Sequence, residues 1–328
     1  MPYINVDEAY ILDNTGLQVD QVADIPYTDA ALTDTQKAQA RKNIAAGGTN
    51  PNLLDNPWWG QGEVINQRAF TSLSGAGAFY TIDRWDRTSN SSLALTLTNS
   101  GMRFTLSSNG SWTFFRQYIG RKINEDATYT FSIMDDDGNI YSATGQFVTG
   151  TSSETYVNIG GMSLGLGMYG KGVKPYVALG FGTNRAGEFT IRAVKLELGS
   201  VSTLANDTPP NYADELAKCQ RYFIRLEYTD TGKQVGFGYM YNTTQARILV
   251  PTPVTMRTGP TVTTTNLGGA FRVNAGGTYL TPSAVSAIAT ALPNGVNINF
   301  GTSSAGTSGA IATVFSYGEG SIDFSADL

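Results

Sequence analysis

Apolar and polar residues alternate in short runs along most of the chain after residue 53. Leu93, Leu95 and Leu97 alternate with small or polar residues, and residues 102–106 repeat the pattern after the turn sequence Asn99-Ser100-Gly101. A period of two is typical of a half-buried strand, so these runs predict a β-hairpin. The alternation recurs at residues 129–133, 177–181 and 194–198. Short strands separated by turn-rich clusters predict an antiparallel β-sandwich.

A helical pattern lies near the N-terminus. The Thr33 hydroxyl can cap a helix, Gln36 has the spacing of a capping box, and Gly47-Gly48 provides a stop. The pattern therefore predicts a short helix over residues 34–46. A helix of this length with so few apolar residues is marginal alone, so we expect it to pack against a second copy or another protein.

Residues 206–211 interrupt the strand pattern, because Pro209-Pro210 fits neither a helix nor a central strand. We place a domain boundary there. The next segment, residues 213–223, predicts a short helix whose Leu216, Cys219 and Phe223 share one face. Cys219 is accordingly expected to be a small core residue.

Strand patterns return in the C-terminal third, at residues 247–251, 296–300, 311–315 and 322–324. The predicted fold class is therefore mainly β, with a short N-terminal helical segment, an antiparallel jelly-roll β-sandwich and a second small β domain. The corresponding domains are an N-terminal segment over 1–48, the sandwich over 49–205, a linker with a short helix over 206–235, and the C-terminal β domain over 236–328.

Composition narrows the function classes. Charged residues make up 15% of the 328 residues, against about 25% in average proteins, while 41% hydrophobic residues can fill a core. The chain has no histidine, which removes the commonest general base, the commonest metal ligand and every Ser-His or Cys-His pair. The single cysteine excludes an intrachain disulfide.

Net charge and hydropathy bear on partners. A formal net charge of -5 gives no overall attraction for a polyanion, so we expect no nucleic-acid partner. No run of about 18 apolar residues is present, and the N-terminal residues lack the basic and apolar regions of a signal peptide. We expect neither membrane insertion nor an export signal.

One glycine-rich stretch fits three known motifs. Residues 161–165 fit the nucleophile elbow G-x-S-x-G around Ser163, but that serine needs a basic partner and the chain has no histidine. Residues 165–170 fit a dinucleotide motif and, with Lys171, a phosphate loop, but Gly172 replaces the magnesium-binding Ser or Thr and no helix start follows. We interpret these glycines as sites of turns and close strand packing. The segment 135–139, which begins with three aspartates, lacks EF-hand spacing and predicts a hairpin turn.

Trp58 and Trp59 are adjacent, between Asn56-Pro57 and Gly60. In an extended segment successive side chains point to opposite sides, so at least one indole would face outward, where it could stack on a sugar ring. The alternative is that both indoles fill the sandwich core or a subunit interface, since tryptophans are mostly buried.

Several blocks resemble segments of bacteriophage tail fibre and receptor-binding proteins. Residues 32–46 resemble their short helix LT-x-x-QK-x-QAR-x-NI, and residues 215–223 resemble their junction EL-x-x-CQRYY, with Phe223 in place of the second Tyr. Residues 52–56, 65–68 and 80–85 resemble the opening of a jelly roll like that of carbohydrate-binding modules, and residues 194–199 resemble its close. Residues 251–262 and 321–328 are also similar to segments of these proteins.

The resemblance implies a virion component of the phage tail, made in the host cytoplasm, that attaches to the bacterial surface and binds its glycans. It also implies a homotrimer. Because segment 1–48 lies at the N-terminus, we expect it to contact other tail or baseplate proteins. We expect no cofactor, no metal and no enzymatic activity. Two alternatives stay open. One is a structural collar or baseplate component without receptor binding, and the other is a glycan-degrading tail enzyme, since the 27 acidic residues could supply two catalytic carboxylates.

For the glycan site we expect aromatic and amide side chains, because they offer stacking and hydrogen bonds without the desolvation of a charge. The candidates are Trp58, Trp59, Trp112, Tyr239, Tyr241 and Asn242.

Overall fold

The computed structural model describes residues 50–75, 77–88, 93–107, 113–150, 154–181, 186–292 and 294–327. These residues are mainly β, which confirms the predicted fold class for this part of the chain. The predicted helix over residues 34–46, the segment 1–48 that contains it, and Trp112 lie outside the described residues.

Two six-stranded sheets form a first sandwich. The strands of one sheet are, in spatial order, Ser72–Leu73 (β1), Leu93–Leu97 (β4), Met102–Leu106 (β5), Gly187–Leu198 (β12), Tyr129–Asp135 (β7) and Ile140–Gly145 (β8). Those of the other are Phe79–Tyr80 (β2), Asp86–Arg87 (β3), Thr113–Tyr118 (β6), Tyr176–Phe181 (β11), Met162–Tyr169 (β10) and Glu154–Ile159 (β9). Neighbouring strands pair antiparallel in both sheets.

The local predictions for this sandwich are confirmed. β4 pairs with β5 as a hairpin, with Leu93 opposite Leu106 and Leu97 opposite Met102. The segment 135–139 connects β7 to β8, and the Asn139 backbone N–H donates to Asp135 Oδ1 at 2.7 Å. That bond closes the turn, because a short carboxylate side chain accepts readily from a nearby backbone N–H.

An aromatic cluster fills the centre of the first sandwich. The Trp85 ring stacks on Phe115 with 5.2 Å between centroids, and the Trp59 ring meets Trp85 edge-on at 5.0 Å. Phe104 meets Phe115 edge-on at 5.3 Å. All four side chains are fully buried. Because aromatic side chains bury the most apolar area per residue, this cluster is a major source of the stability of the sandwich.

A short helix, Tyr212–Gln220 (α1), follows the first sandwich. The Asn211 side chain caps it by accepting from the Ala213 N–H at 2.9 Å. The sequence predicts a helix to residue 223, but the helix ends earlier because Phe223 begins a strand and pairs with Ser325. Cys219 is free and fully buried, as predicted.

A three-stranded and a seven-stranded sheet form a second sandwich. The smaller sheet comprises Phe223–Tyr228 (β13), Gly320–Ser325 (β22) and Thr261–Thr264 (β16), in spatial order. The larger comprises Thr278–Leu280 (β18), Phe271–Ala275 (β17), Ile311–Ser316 (β21), Gln234–Asn242 (β14), Gln245–Pro251 (β15), Gly295–Thr302 (β20) and Pro282–Leu292 (β19). A single helical turn, Leu267–Ala270 (α2), precedes β17.

The larger sheet curls into a half-barrel around the second core. Glycine at the centre of β14 permits this curvature. A Cβ atom at Gly238 would lie 1.8 Å from the Arg247 carbonyl oxygen on β15, and one at Gly236 would lie 2.4 Å from the Leu249 carbonyl oxygen. The two strands therefore approach each other more closely than any side chain at these positions would allow.

Polar contacts join the two sandwiches. Gln67 Nε2 donates to the Phe223 carbonyl oxygen at 2.9 Å, and the Arg84 guanidinium lies 3.4 Å from the centroid of the Tyr222 ring. Arg68 forms an ion pair with Asp327 near the C-terminus. Residues 50–328 consequently form one compact unit.

Candidate functional site

The two tryptophans at the start of the described chain belong to the core. Trp59 has no exposed surface and Trp58 is 5% exposed. Trp59 Nε1 donates to the Asn56 carbonyl oxygen at 2.9 Å, so the polar edge of its indole has a partner within the core. With the rings enclosed, neither indole offers a face to a sugar, which favours the packing alternative for this pair.

The C-terminal candidates lie instead on an exposed strand. Tyr239 is 45% exposed and Tyr241 is 49% exposed, and both belong to β14 together with the exposed Asn242. Phe237 on the same strand is 53% exposed, whereas Met240 between the two tyrosines is fully buried. The period of two along β14 thus directs its aromatic side chains away from the second core.

These side chains belong to a surface that we call the outer face, the side of the seven-stranded sheet directed away from the second core. Tyr239 lies opposite Ile311 on β21 and opposite Arg247 on β15, and Arg247 lies opposite Asn299 on β20. This row crosses four strands, or about 14 Å at the usual strand spacing. Six exposed large apolar or aromatic side chains lie on or beside the outer face: Phe237, Tyr239, Tyr241, Tyr279, Ile311 and Tyr317.

The charge of this region differs from that of the whole chain. Residues 231–318 contain no Asp or Glu, and they contain the four bases Lys233, Arg247, Arg257 and Arg272. The formal charge of this segment is therefore +4 in a chain of net charge -5. Arg257 lies apart from the outer face, since its Nη1 donates to the Ala326 carbonyl oxygen at the junction of the sandwiches. The expectation of a purely neutral site overlooked this segment, although its lack of acidic residues is visible in the sequence.

Two arginines of the outer face lie against tyrosine rings. The Arg247 guanidinium is 3.6 Å from the Tyr241 ring centroid, and the Arg272 guanidinium is 4.2 Å from that of Tyr317. Neither arginine forms an ion pair with any residue that the structure describes. Both positive charges on the outer face are thus held by cation–π contacts rather than by carboxylates.

A cavity of about 520 Å³ lies at one end of the outer face. Arg272, Tyr279, Phe315 and Tyr317 supply its side chains, and Gly232 and Ser316 complete its lining. Phe315 lies opposite Arg272 in the register of β21 and β17. The cavity combines aromatic walls with one cationic group, a combination that suits a ligand with both an apolar face and a negative charge.

A second cavity, of about 740 Å³, lies in the first sandwich beside β8, β9 and β10. Glu154 and Lys171 line it, and Glu154 accepts a hydrogen bond from the Tyr169 hydroxyl. Lys171 forms an ion pair with Asp126. Among the described residues, Glu154 is the one carboxylate of this lining, whereas glycoside hydrolysis normally uses a pair.

The glycine-rich motif lies within the first sandwich. Ser163 and Gly165 belong to β10, in which Gly165 pairs with Gly180 of β11 and Tyr156 of β9. Residues 170–173 form a turn that leads towards β11, and the Val173 N–H donates to the Gly170 carbonyl oxygen at 3.0 Å. No helix begins there, so the arrangement lacks the helix N-terminus on which nucleotide phosphates are bound.

Asp83 is a buried carboxyl between the two sandwiches. It accepts hydrogen bonds from the Gln67 backbone N–H at 2.6 Å and from Gln67 Nε2 at 2.9 Å. Burial raises the pKa of Asp83 to about 6, and the nearby Arg68 and the two bonds from Gln67 act in the opposite direction. Because Gln67 also donates to Phe223, this group forms part of the junction between the sandwiches.

Two further findings concern the described residues. They contain no group of three or more Asp, Glu, Cys or His side chains placed to hold a metal ion. Within the same ranges, every helix is too short or too polar to cross a membrane.

Neither family models, nor curated proteins, nor solved structures give a match to this chain.

Proposed function

We propose that the chain is a receptor-binding protein of a bacteriophage tail, which attaches to the bacterial surface by binding glycans on its outer face. The observation that carries the proposal is the exposed row of Phe237, Tyr239 and Tyr241 along one strand. The resemblance of residues 32–46 and 215–223 to tail fibre proteins supports the viral setting.

The chemistry of the outer face suits a sugar chain. Sugar rings present C–H faces that stack on aromatic side chains, and they present hydroxyls that bond to amides. The outer face offers both, since Asn297 and Asn299 lie on β20 next to Leu249 and Arg247 of β15. Contiguous exposed apolar side chains of this kind mark a binding surface, because water solvates them poorly.

A glycan array with purified variants tests the proposal. Tyr239→Ala and Tyr241→Ala should each weaken binding by about three- to tenfold, because each removes one stacking contact. Tyr212→Ala is the matched control: Tyr212 is 48% exposed but lies on α1, away from the outer face, and its loss should leave binding unchanged.

Several results would contradict the proposal. Equal binding by the wild type and both β14 variants would show that the glycan is not on the outer face. A smaller assembly in light scattering for either variant would identify the face as an interface between copies. Release of reducing ends from a bound polysaccharide would favour the glycan-degrading alternative.

A further inference from the structure

We propose that the cavity at the end of the outer face binds a sugar ring that carries a carboxylate, and that Arg272 holds this carboxylate. The inference rests on the proposed function, because it names the class of glycan that the same face takes. Its basis is the geometry of Arg272, the charge of its surroundings and the aromatic side chains of the cavity.

Arg272 is held in place by one of its two terminal nitrogens. Nη1 donates to the Gly268 carbonyl oxygen at 2.6 Å and to the Phe271 carbonyl oxygen at 2.7 Å, while the Tyr317 ring lies against the guanidinium. Both hydrogens of Nη1 are used in this way. Nε and Nη2 have no hydrogen-bond partner among the described residues, so the opposite edge of a fixed guanidinium is available to a ligand.

The same edge of arginine binds carboxylates elsewhere in this chain. Arg225 Nε donates to Asp323 Oδ1 at 2.9 Å, and Arg225 Nη2 donates to Asp323 Oδ2 at 2.7 Å. Arg116 uses its Nε and Nη2 on Asp86. A planar fork of two N–H donors matches the two oxygens of a carboxylate, which makes such pairs both strong and selective.

The surroundings favour an anion at this place. The acid-free segment 231–318 contributes every residue of the cavity lining. Asp230, just before this segment, is exposed and lies 3.7 Å from Lys233 Nζ. Lys233 offsets the charge of Asp230, and the exposed Glu319 follows Tyr317 by two residues. In the lining that the structure describes, Arg272 is the one charged side chain, so no carboxylate there competes with a ligand for its guanidinium.

The aromatic side chains distinguish a sugar acid from a simple anion. Tyr279 and Tyr317 are largely exposed and flank Arg272, and Phe315 lies opposite it on β21. An inorganic anion gains nothing from these walls, whereas a pyranose ring can stack on a tyrosine while its carboxylate reaches the guanidinium. A cavity of about 520 Å³ falls in the usual range for small-molecule sites.

The experiment uses the full chain and an array of oligosaccharides that contain glucuronate, galacturonate, mannuronate or sialate. Each is printed beside its carboxyl-reduced, neutral counterpart and beside sulfated and phosphorylated oligosaccharides. The wild type should bind at least one carboxylated probe about tenfold or more better than its reduced form, as expected for a charge-assisted bidentate bond.

Three variants test whether Arg272 causes the preference for the carboxylated probe. Arg272→Gln should lower affinity for the carboxylated probe by about tenfold to a hundredfold and abolish the preference, while affinity for the reduced form stays as in the wild type. Arg272→Lys keeps the charge without the fork and should keep only part of the preference. Lys233→Gln removes one positive charge outside the cavity lining and should leave the preference for the carboxylated probe unchanged.

The outcomes separate this inference from the proposed function. Equal binding of carboxylated and reduced probes by the wild type, with loss on Tyr239→Ala, would overturn the inference and leave the proposed function standing. Preference for sulfated or phosphorylated probes, or an equal loss of preference in Lys233→Gln, would also overturn it. Binding to no probe would overturn both. If Arg272→Gln fails to fold, the wild-type comparison of probes still tests the class of ligand, and Arg272→Lys still tests the role of the guanidinium.

Discussion

The arginines of this chain differ in what holds their guanidinium groups. Arg116 and Arg225 each bind an aspartate of a neighbouring strand through two nitrogens. Arg247 and Arg272 bind no carboxylate of the described residues, and each lies against a tyrosine ring. A ring orders the cation through its face and leaves the N–H edge to other partners, so the second kind suits recognition better than the first.

Asp83 provides a residue-scale prediction on pH. Its pKa of about 6 in the folded protein exceeds the ordinary value of 3.8, so the folded state binds this proton more tightly than the unfolded chain does. The stability that Asp83 contributes is fully present below pH 4 and is lost as the pH rises through 6. A shift of about two pKa units corresponds to roughly 3 kcal/mol.

Denaturant unfolding between pH 4 and pH 7 measures this effect. Asp83→Asn cannot ionise, so its free energy of unfolding should gain up to about 3 kcal/mol relative to the wild type over that range. Asp230→Asn, which changes an exposed carboxyl, serves as the control. Parallel pH profiles for the wild type and Asp83→Asn would refute the prediction.

At the scale of elements, the side chains of β14 and β21 alternate between the outer face and the second core. On β21 the alternating Ile311, Thr313 and Phe315 belong to the outer face, while Ala312 and Val314 are buried in the second core. On β14 the aromatics face outward and Met240 faces inward. Both faces of these strands carry apolar residues, so the alternation indicates a strand without indicating which side is covered.

The close approach of β14 and β15 gives a prediction at this scale. Gly238→Ala should lower the free energy of unfolding by about 1–3 kcal/mol, because the new methyl group would overlap the Arg247 carbonyl oxygen unless the strands move apart. The control is Gly145→Ala on β8, where the nearest atom to an added Cβ is the flexible Met168 Cε at 3.6 Å. Equal thermal unfolding of both variants would show that the curl does not require glycine at 238.

For the whole molecule, the N-terminal helix pattern predicts assembly into an oligomer, and the outer face would then be present in several copies. The predicted helix over residues 34–46 has an apolar face too narrow to be stable alone, and the resemblance to tail fibre proteins implies three copies. Three copies of one weak glycan site would bind a bacterial surface far more tightly than one, because the later contacts become intramolecular.

Light scattering on the purified chain should therefore give three times the mass of one chain. Ile44→Asp places a charge on the apolar face of the predicted helix and should reduce that mass, whereas Tyr239→Ala should not. A monomer at micromolar concentration would contradict the prediction.

Sequence patterns were sufficient to predict the β class, the hairpin at residues 93–106, the acidic turn at 135–139 and the burial of Cys219. Each of these depends on neighbours along the chain, through side-chain period and turn chemistry. The lack of Asp and Glu between residues 231 and 318 is also visible in the sequence alone. Domain limits, receptor and assembly stay predictions.

The sequence did not reveal which aromatic side chains are exposed, because their burial depends on how distant strands pack. Trp59 and Tyr239 both lie in aromatic-rich stretches, yet one fills the core of the first sandwich and the other lies on the outer face. That difference arises from strand pairings between residues far apart, such as Tyr239 with Ile311. The cavity has the same origin, because Gly232, Arg272 and Tyr317 meet only once the seven-stranded sheet has formed and curled. Local sequence carries no record of those distances, since they are set by the packing of the sheet around its core.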